Sequence, residues 1–115
     1  MEMRWEEAKE ALLREGFIEF ADFRIELTLD NTFLDIDYIP RVAVYYEGDG
    51  HWHVLRNPIP KGKTLEEGWR NAVEVLERVL RGELRPDLGG EDVSAEFFRQ
   101  FRETFGGQNP YIHHR

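Results

Sequence analysis

Two pairs of titratable side chains alternate along this chain: Asp35 and Asp37 in one candidate strand, His51 and His53 in another. Residues two apart on a strand point the same way. If both pairs share the wet face of a sheet, two carboxylates and two imidazoles converge. That donor set suits Zn, Mn or Fe, and a metal held by Asp35, Asp37, His51 and His53 would activate water, as in a metal-dependent hydrolase or nuclease. The competing reading is a solvated strand face, where alternating polar residues are ordinary. The strand expected between the two pairs also separates them by about 10 Å.

Other reactive residue types have structural explanations close by. Glu66 and Glu67 have acid/base potential, but they open an amphipathic segment behind Thr64. Thr64 with Glu67 forms a capping box, and Glu66 suits the positive end of a helix dipole. Ser94 is the only serine, sits at an expected helix start and has no G-x-S-x-G around it. Gly62-Lys63-Thr64 mimics the end of a phosphate-binding loop, but Asn57 stands where its first glycine belongs. His113 and His114 are adjacent on a tail, a poor basis for a rigid ligand set. Cysteine is absent, which removes disulfides, thiol nucleophiles and thiolate metal sites. No catalytic residue and no cofactor is assigned.

Positioning these residues takes a small mixed fold. Trp5, Ala8, Ala11, Leu12 and Leu13 form the apolar stripe of a helix over residues 5–15, closed by Gly16. Residues 17–29 alternate, with Phe23, Ile25, Leu27 and Leu29 opposite Arg24, Glu26 and Thr28, and read as one half-buried strand. Asp30-Asn31 suits a two-residue turn. The return strand is Thr32–Ile39, ended or bulged at Pro40. Strands three and four are Arg41–Tyr46 and His51–Leu55, joined through Gly48-Asp49-Gly50.

A Pro/Gly loop, residues 56–63, leads to a helix from about 65 to 81 with Gly82 as its stop signal. A last helix over about 94–105 is capped by Ser94 or Asp92 and stopped by Gly106-Gly107. The chain is expected to be a single α+β domain over residues 1–115, in the order α-β-β-β-β-α-α. Helices at both ends of a four-stranded antiparallel meander cover one face and leave the other wet.

Composition narrows the function classes. At 115 residues with 41% hydrophobic and 13% aromatic content, the chain has the apolar surface for one real core. No apolar run approaches a membrane span, and the acidic start Met1–Glu7 is no signal peptide, so an intracellular, cytoplasmic protein is expected. The net charge of −8 disfavours direct nucleic-acid binding and would steer a basic protein partner. Twelve arginines against three lysines, many glutamates and no cysteine also suit a thermostable protein.

Aromatic residues carry the interaction readings. Phe97, Phe98, Phe101 and Phe105 share one helical face; they either pack on the chain's own sheet or dock on a partner or a second copy in a homodimer. Trp69 lies on the apolar stripe of its helix, and Trp52 alternates in phase with Val54, so both are expected in the core. Tyr45 is out of phase with Val42 and Val44 and is the aromatic expected on the wet face.

Residues 41–81 resemble the N-terminal domain of HicB-like antitoxins: strand, turn, strand, Pro/Gly loop, then G-x-T-x-E-E-A opening an amphipathic helix. The matching residues are Gly62, Thr64, Glu66 and Glu67, with Gly68 where the family prefers alanine. The loop is about three residues shorter than the family's, and residues 1–39 are additional. The resemblance implies a protein that binds and masks a small basic ribonuclease toxin. The leading expectation is therefore a non-enzymatic, acidic interaction protein of the antitoxin, immunity or inhibitor kind, with Glu26, Asp35, Asp37 and Tyr45 on its contact face. A metal-dependent hydrolase and a self-associating accessory subunit are the alternatives.

Overall fold

A computed structural model of the chain describes residues 4–29 and 38–106. Its elements are α1 (Trp5–Glu15), β1 (Phe17–Phe20), β2 (Phe23–Leu29), β3 (Pro40–Tyr46), β4 (His51–Val54), α2 (Leu65–Leu80) and α3 (Glu91–Phe105). The strands form one antiparallel sheet in the order β1-β2-β3-β4. The fold is α+β in the expected element order. No helix among the described residues is long and apolar enough to cross a membrane.

The strands are allotted differently from the sequence pattern. Residues 17–29 are a hairpin rather than one strand, turning at Ala21-Asp22, where Ala21 has a φ of +49°. No glycine or asparagine marks this turn; α3 holds it from the side. The Asp22 amide donates to Gln100 Oε1 at 3.1 Å, and Gln100 Nε2 donates to Asp22 Oδ2 at 3.1 Å. β2 then pairs directly with β3, from Phe23 opposite Tyr46 to Leu29 opposite Pro40, so the expected strand Thr32–Ile39 does not stand between them. Pro40 opens β3 instead of ending a strand. Asp30–Asp37 lie outside the described residues, and with them the expected Asp30-Asn31 turn.

One face of the sheet carries the core. Ile18, Phe20, Phe23, Ile25, Leu27, Val42 and Val44 point into it and meet Trp5, Leu12, Leu76, Val79 and the α3 phenylalanines. Phe97, Phe101 and Phe105 are fully enclosed, packed among Trp5, Phe20 and Phe23 at centroid distances of 5.3–5.9 Å. Of the stripe considered for a homodimer, only Phe98 is part-exposed, and the Arg102 guanidinium lies 5.3 Å from its ring centroid. α3 begins earlier than expected, at Glu91 behind Gly90 with no side-chain cap. Ser94 Oγ instead accepts the Leu88 amide at 2.8 Å and ties down the incoming loop.

Two polar devices join the helices to this core. Glu77 of α2 is buried, and its Oε2 accepts from Trp5 Nε1 at 2.9 Å and from Lys9 Nζ at 3.2 Å, locking α1 onto α2. At the start of α2, Thr64 Oγ1 accepts the Glu67 amide at 3.1 Å. Glu67 Oε1 reaches back to the Lys63 amide at 2.7 Å, one residue outside the usual capping-box position. Gly62 exchanges two backbone bonds with Tyr38, at 2.7 and 2.9 Å, while lying directly on Gly68. A Cβ on Gly62 would collide with the Gly68 nitrogen and come within 2.7 Å of its Cα.

Gly62→Ala is therefore expected to lose about 1–3 kcal/mol of stability, seen as a lower urea midpoint at unchanged slope; an unchanged midpoint would mean the loop and α2 are not in this contact. Glu77→Ala strands the Trp5 indole N–H in the core and is expected to lose about 1–3 kcal/mol. Glu77→Gln keeps an acceptor and should recover most of that loss. Equal losses in the two variants would place the stabilisation in the Lys9 ion pair instead.

Candidate interaction surface on the open sheet face

The sheet face away from the helices is built from β1 and β2 at one end and β3 and β4 at the other. Glu19, Arg24, Glu26 and Thr28 point to it from the first hairpin, opposite in phase to the buried Ile18, Ile25 and Leu27. Arg41, Ala43 and Tyr45 do so from β3. Opposed residues of an antiparallel pair share a face. Trp52 lies opposite Tyr45 and Val54 opposite Ala43, so both belong to the open face, each about half exposed at 50%.

This reverses the expected phase of β4. Trp52 and Val54 are not core residues. His51 lies opposite Tyr46 and His53 opposite Val44, so both histidines sit on the helix side and not on the wet face. The residues Glu47–Gly50 form the turn between Tyr46 and His51, and its length sets the register. In the inner strands, burial under the helices enforces apolar-in alternation. Among the described residues β4 is an edge strand, paired only with β3, where that pressure is weakest and turn length decides.

Of the expected contact residues, Glu26 and Tyr45 are together on the open face, on neighbouring strands. Asp35 and Asp37 lie outside the described residues. The histidines of the metal reading are engaged at the hairpin tip: Asp49 Oδ1 accepts the His51 amide at 3.0 Å, and Asp49 Oδ2 is 2.8 Å from His53 Nε2. Desolvation pushes the Asp49 carboxyl up, but the His51 amide and the His53 ring outweigh it and hold the group below its ordinary value. Among the described residues, no three His, Asp or Glu side chains are grouped to hold a metal ion.

The open face divides into two chemical zones. Over β1 and β2, Arg24 Nε donates to Glu26 Oε2 at 2.8 Å and its Nη1 to Glu19 Oε2 at 2.8 Å, with the guanidinium 4.1 Å from the Phe17 ring centroid. These bonds, to Glu26 first and then Glu19, hold Arg24 above the usual arginine range. Over β3 and β4, Tyr45 and Trp52 pack at 5.3 Å between centroids with Val54 and Ala43 beside them. Sequence phase misses Trp52 and Val54 as surface residues; the signal available was the place of their strand at the sheet edge. A groove of about 490 Å³ runs between the zones, from the Ala21-Asp22 turn to Trp52.

An apolar aromatic patch beside fixed ion pairs, on a backbone held by a four-stranded sheet, is equipped to dock another surface. Compared with protein-family models, curated proteins and solved structures, the chain gives no significant match to any of them.

The hairpin-tip carboxylate gives a pH test. A carboxyl lowered in the folded state adds stability above its unfolded value, and that stability is lost as pH falls through the folded value. The Asp49 carboxyl should therefore titrate below the ordinary aspartate range by carbon-detected NMR. His53→Ala removes one of the groups lowering it and should move the midpoint upward; no movement would show that His51, through its amide and its ring, sets it without His53.

Proposed function

We propose that this chain is a non-enzymatic interaction protein that docks a partner protein on its open sheet face and masks it, in the manner of an antitoxin, immunity protein or inhibitor. The observation that carries this reading is the patch on the open sheet face formed by Trp52 and Val54, each half exposed, with the part-buried Tyr45 packed against Trp52. A tryptophan packed on a tyrosine is the residue combination that dominates binding energy at protein interfaces, because it removes large amphipathic area from water at little conformational cost. The net charge of −8 supports a basic partner, through steering and through complementarity at the rim. The run of hairpin, loop and capped helix over residues 40–80 supports the HicB-like antitoxin resemblance. The family's alanine is Gly68 here, and a Cβ at this position would sit in ordinary van der Waals contact with the Tyr38 carbonyl oxygen, at 3.4 Å.

The test is capture from the source cell's lysate at low salt, run in parallel with wild type and Trp52→Asp. A stoichiometric basic protein should co-elute with wild type, leave at higher salt, and be absent with the variant. Because Trp52 lies outside the core, the variant should still unfold in a single cooperative transition, which shows that any lost binding is not lost folding. A partner retained equally by folded Trp52→Asp removes the open face from the reading; wild-type protein eluting alone removes the masking function.

A further inference from the structure

The groove between the two zones has a composition that the patch alone does not explain. Glu19, Asp22 and Glu47 line it together with Tyr45 and Trp52. The one guanidinium in its lining, Arg24, is already shared between Glu19 and Glu26. Glu47 makes no side-chain hydrogen bond or ion pair among the described residues, although its backbone is fixed by a hydrogen bond from its amide to the Asp22 carbonyl oxygen at 2.8 Å. Asp22 has one carboxylate oxygen engaged by Gln100 of α3 and, among the described residues, no ion-pair partner. The groove therefore offers unneutralised carboxylates next to an aromatic face, at a volume within the usual range for a bound side chain or small ligand.

We infer that this groove receives an arginine side chain of the partner protein, its guanidinium stacked on Trp52 and hydrogen-bonded by Glu47 and Asp22. This rests on the open face being the docking surface and names what fills its centre. Arginine is the cation that uses both halves of the site: its plane stacks on an aromatic ring while its N–H groups donate to carboxylates. A second copy of this chain is the wrong occupant, because it brings another surface of net charge −8 against the same carboxylates. The Arg24 pairing also keeps the neighbouring cation from filling the groove from within.

The experiment titrates the folded chain with acetyl-Ala-Arg-Ala-amide at low salt while following amide and indole NMR shifts. Saturable shifts should centre on Ala21, Asp22, Glu47 and the Trp52 indole. They should vanish with the peptide carrying citrulline, which keeps the shape and loses the charge. Glu47→Gln should weaken binding by about threefold or more, while Glu74→Gln, the same charge change at an exposed position of α2, should leave it unchanged. Equal weakening by both variants, shifts spread along α2, identical behaviour of the citrulline peptide, or no shift at the groove would each overturn the assignment. These outcomes are separate from partner capture: Trp52-dependent capture with a silent groove keeps the docking face and removes the arginine.

Discussion

Phe20 closes β1 with its ring among four others, at centroid distances of 5.8 Å to Phe23, 5.9 Å to Phe97, 5.5 Å to Phe101 and 5.4 Å to Phe105. Trp5 reaches the same cluster from α1 through Phe101 and Phe105. One side chain thus brings the first hairpin, the first helix and the last helix into a common core. Its position depends on the chain reversing immediately afterwards, at Ala21-Asp22. A turn one residue later would send Phe20 to the opposite face, since strand side chains alternate. The reversal and α3 are therefore joined in the folded state, fastened by the paired bonds between Gln100 and Asp22.

The same reversal has an outer side. Ala21 and Asp22 wall one end of the open-face groove while Phe20 anchors the interior. Asp22 spends its backbone N–H and one carboxylate oxygen on Gln100, so the groove rim inherits its rigidity from α3. The ion-pair cluster of Arg24, Glu19 and Glu26 occupies the next rows of the sheet. The aromatic patch lies beyond, on β3 and β4. Core packing and surface chemistry are consequently coupled through a single two-residue turn.

How far the sequence reveals this arrangement depends on which interactions fix each element. Helices α1 and α2 are legible because their signals are local: a 3.6-residue stripe, Thr64 and Glu67 at the start, glycine at the end. Glu26 and Tyr45 are legible on the open face because their strands are buried on the other. The first hairpin is hidden because Phe17–Leu29 alternates nearly throughout, and the turn inside it is held by Gln100, 78 residues away from Asp22. The β4 phase is hidden because an edge strand takes its register from the preceding turn. The apolar period was present at Trp52 and Val54, but with little helix cover over β4 it pointed outward.

The division of the three tryptophans has an optical consequence. Trp5 is fully buried against Phe101, Phe105 and the Glu77 carboxylate, and Trp69 keeps its indole nitrogen out of solvent, whereas Trp52 stands half in water. The molecule carries two emitters tied to the integrity of its interior and one tied to the occupancy of its outer face. Collisional quenchers such as iodide or acrylamide reach Trp52 first. Its red-edge emission can therefore be followed separately from the blue-shifted pair, and covering of the sheet and melting of the core become distinguishable in one unlabelled sample.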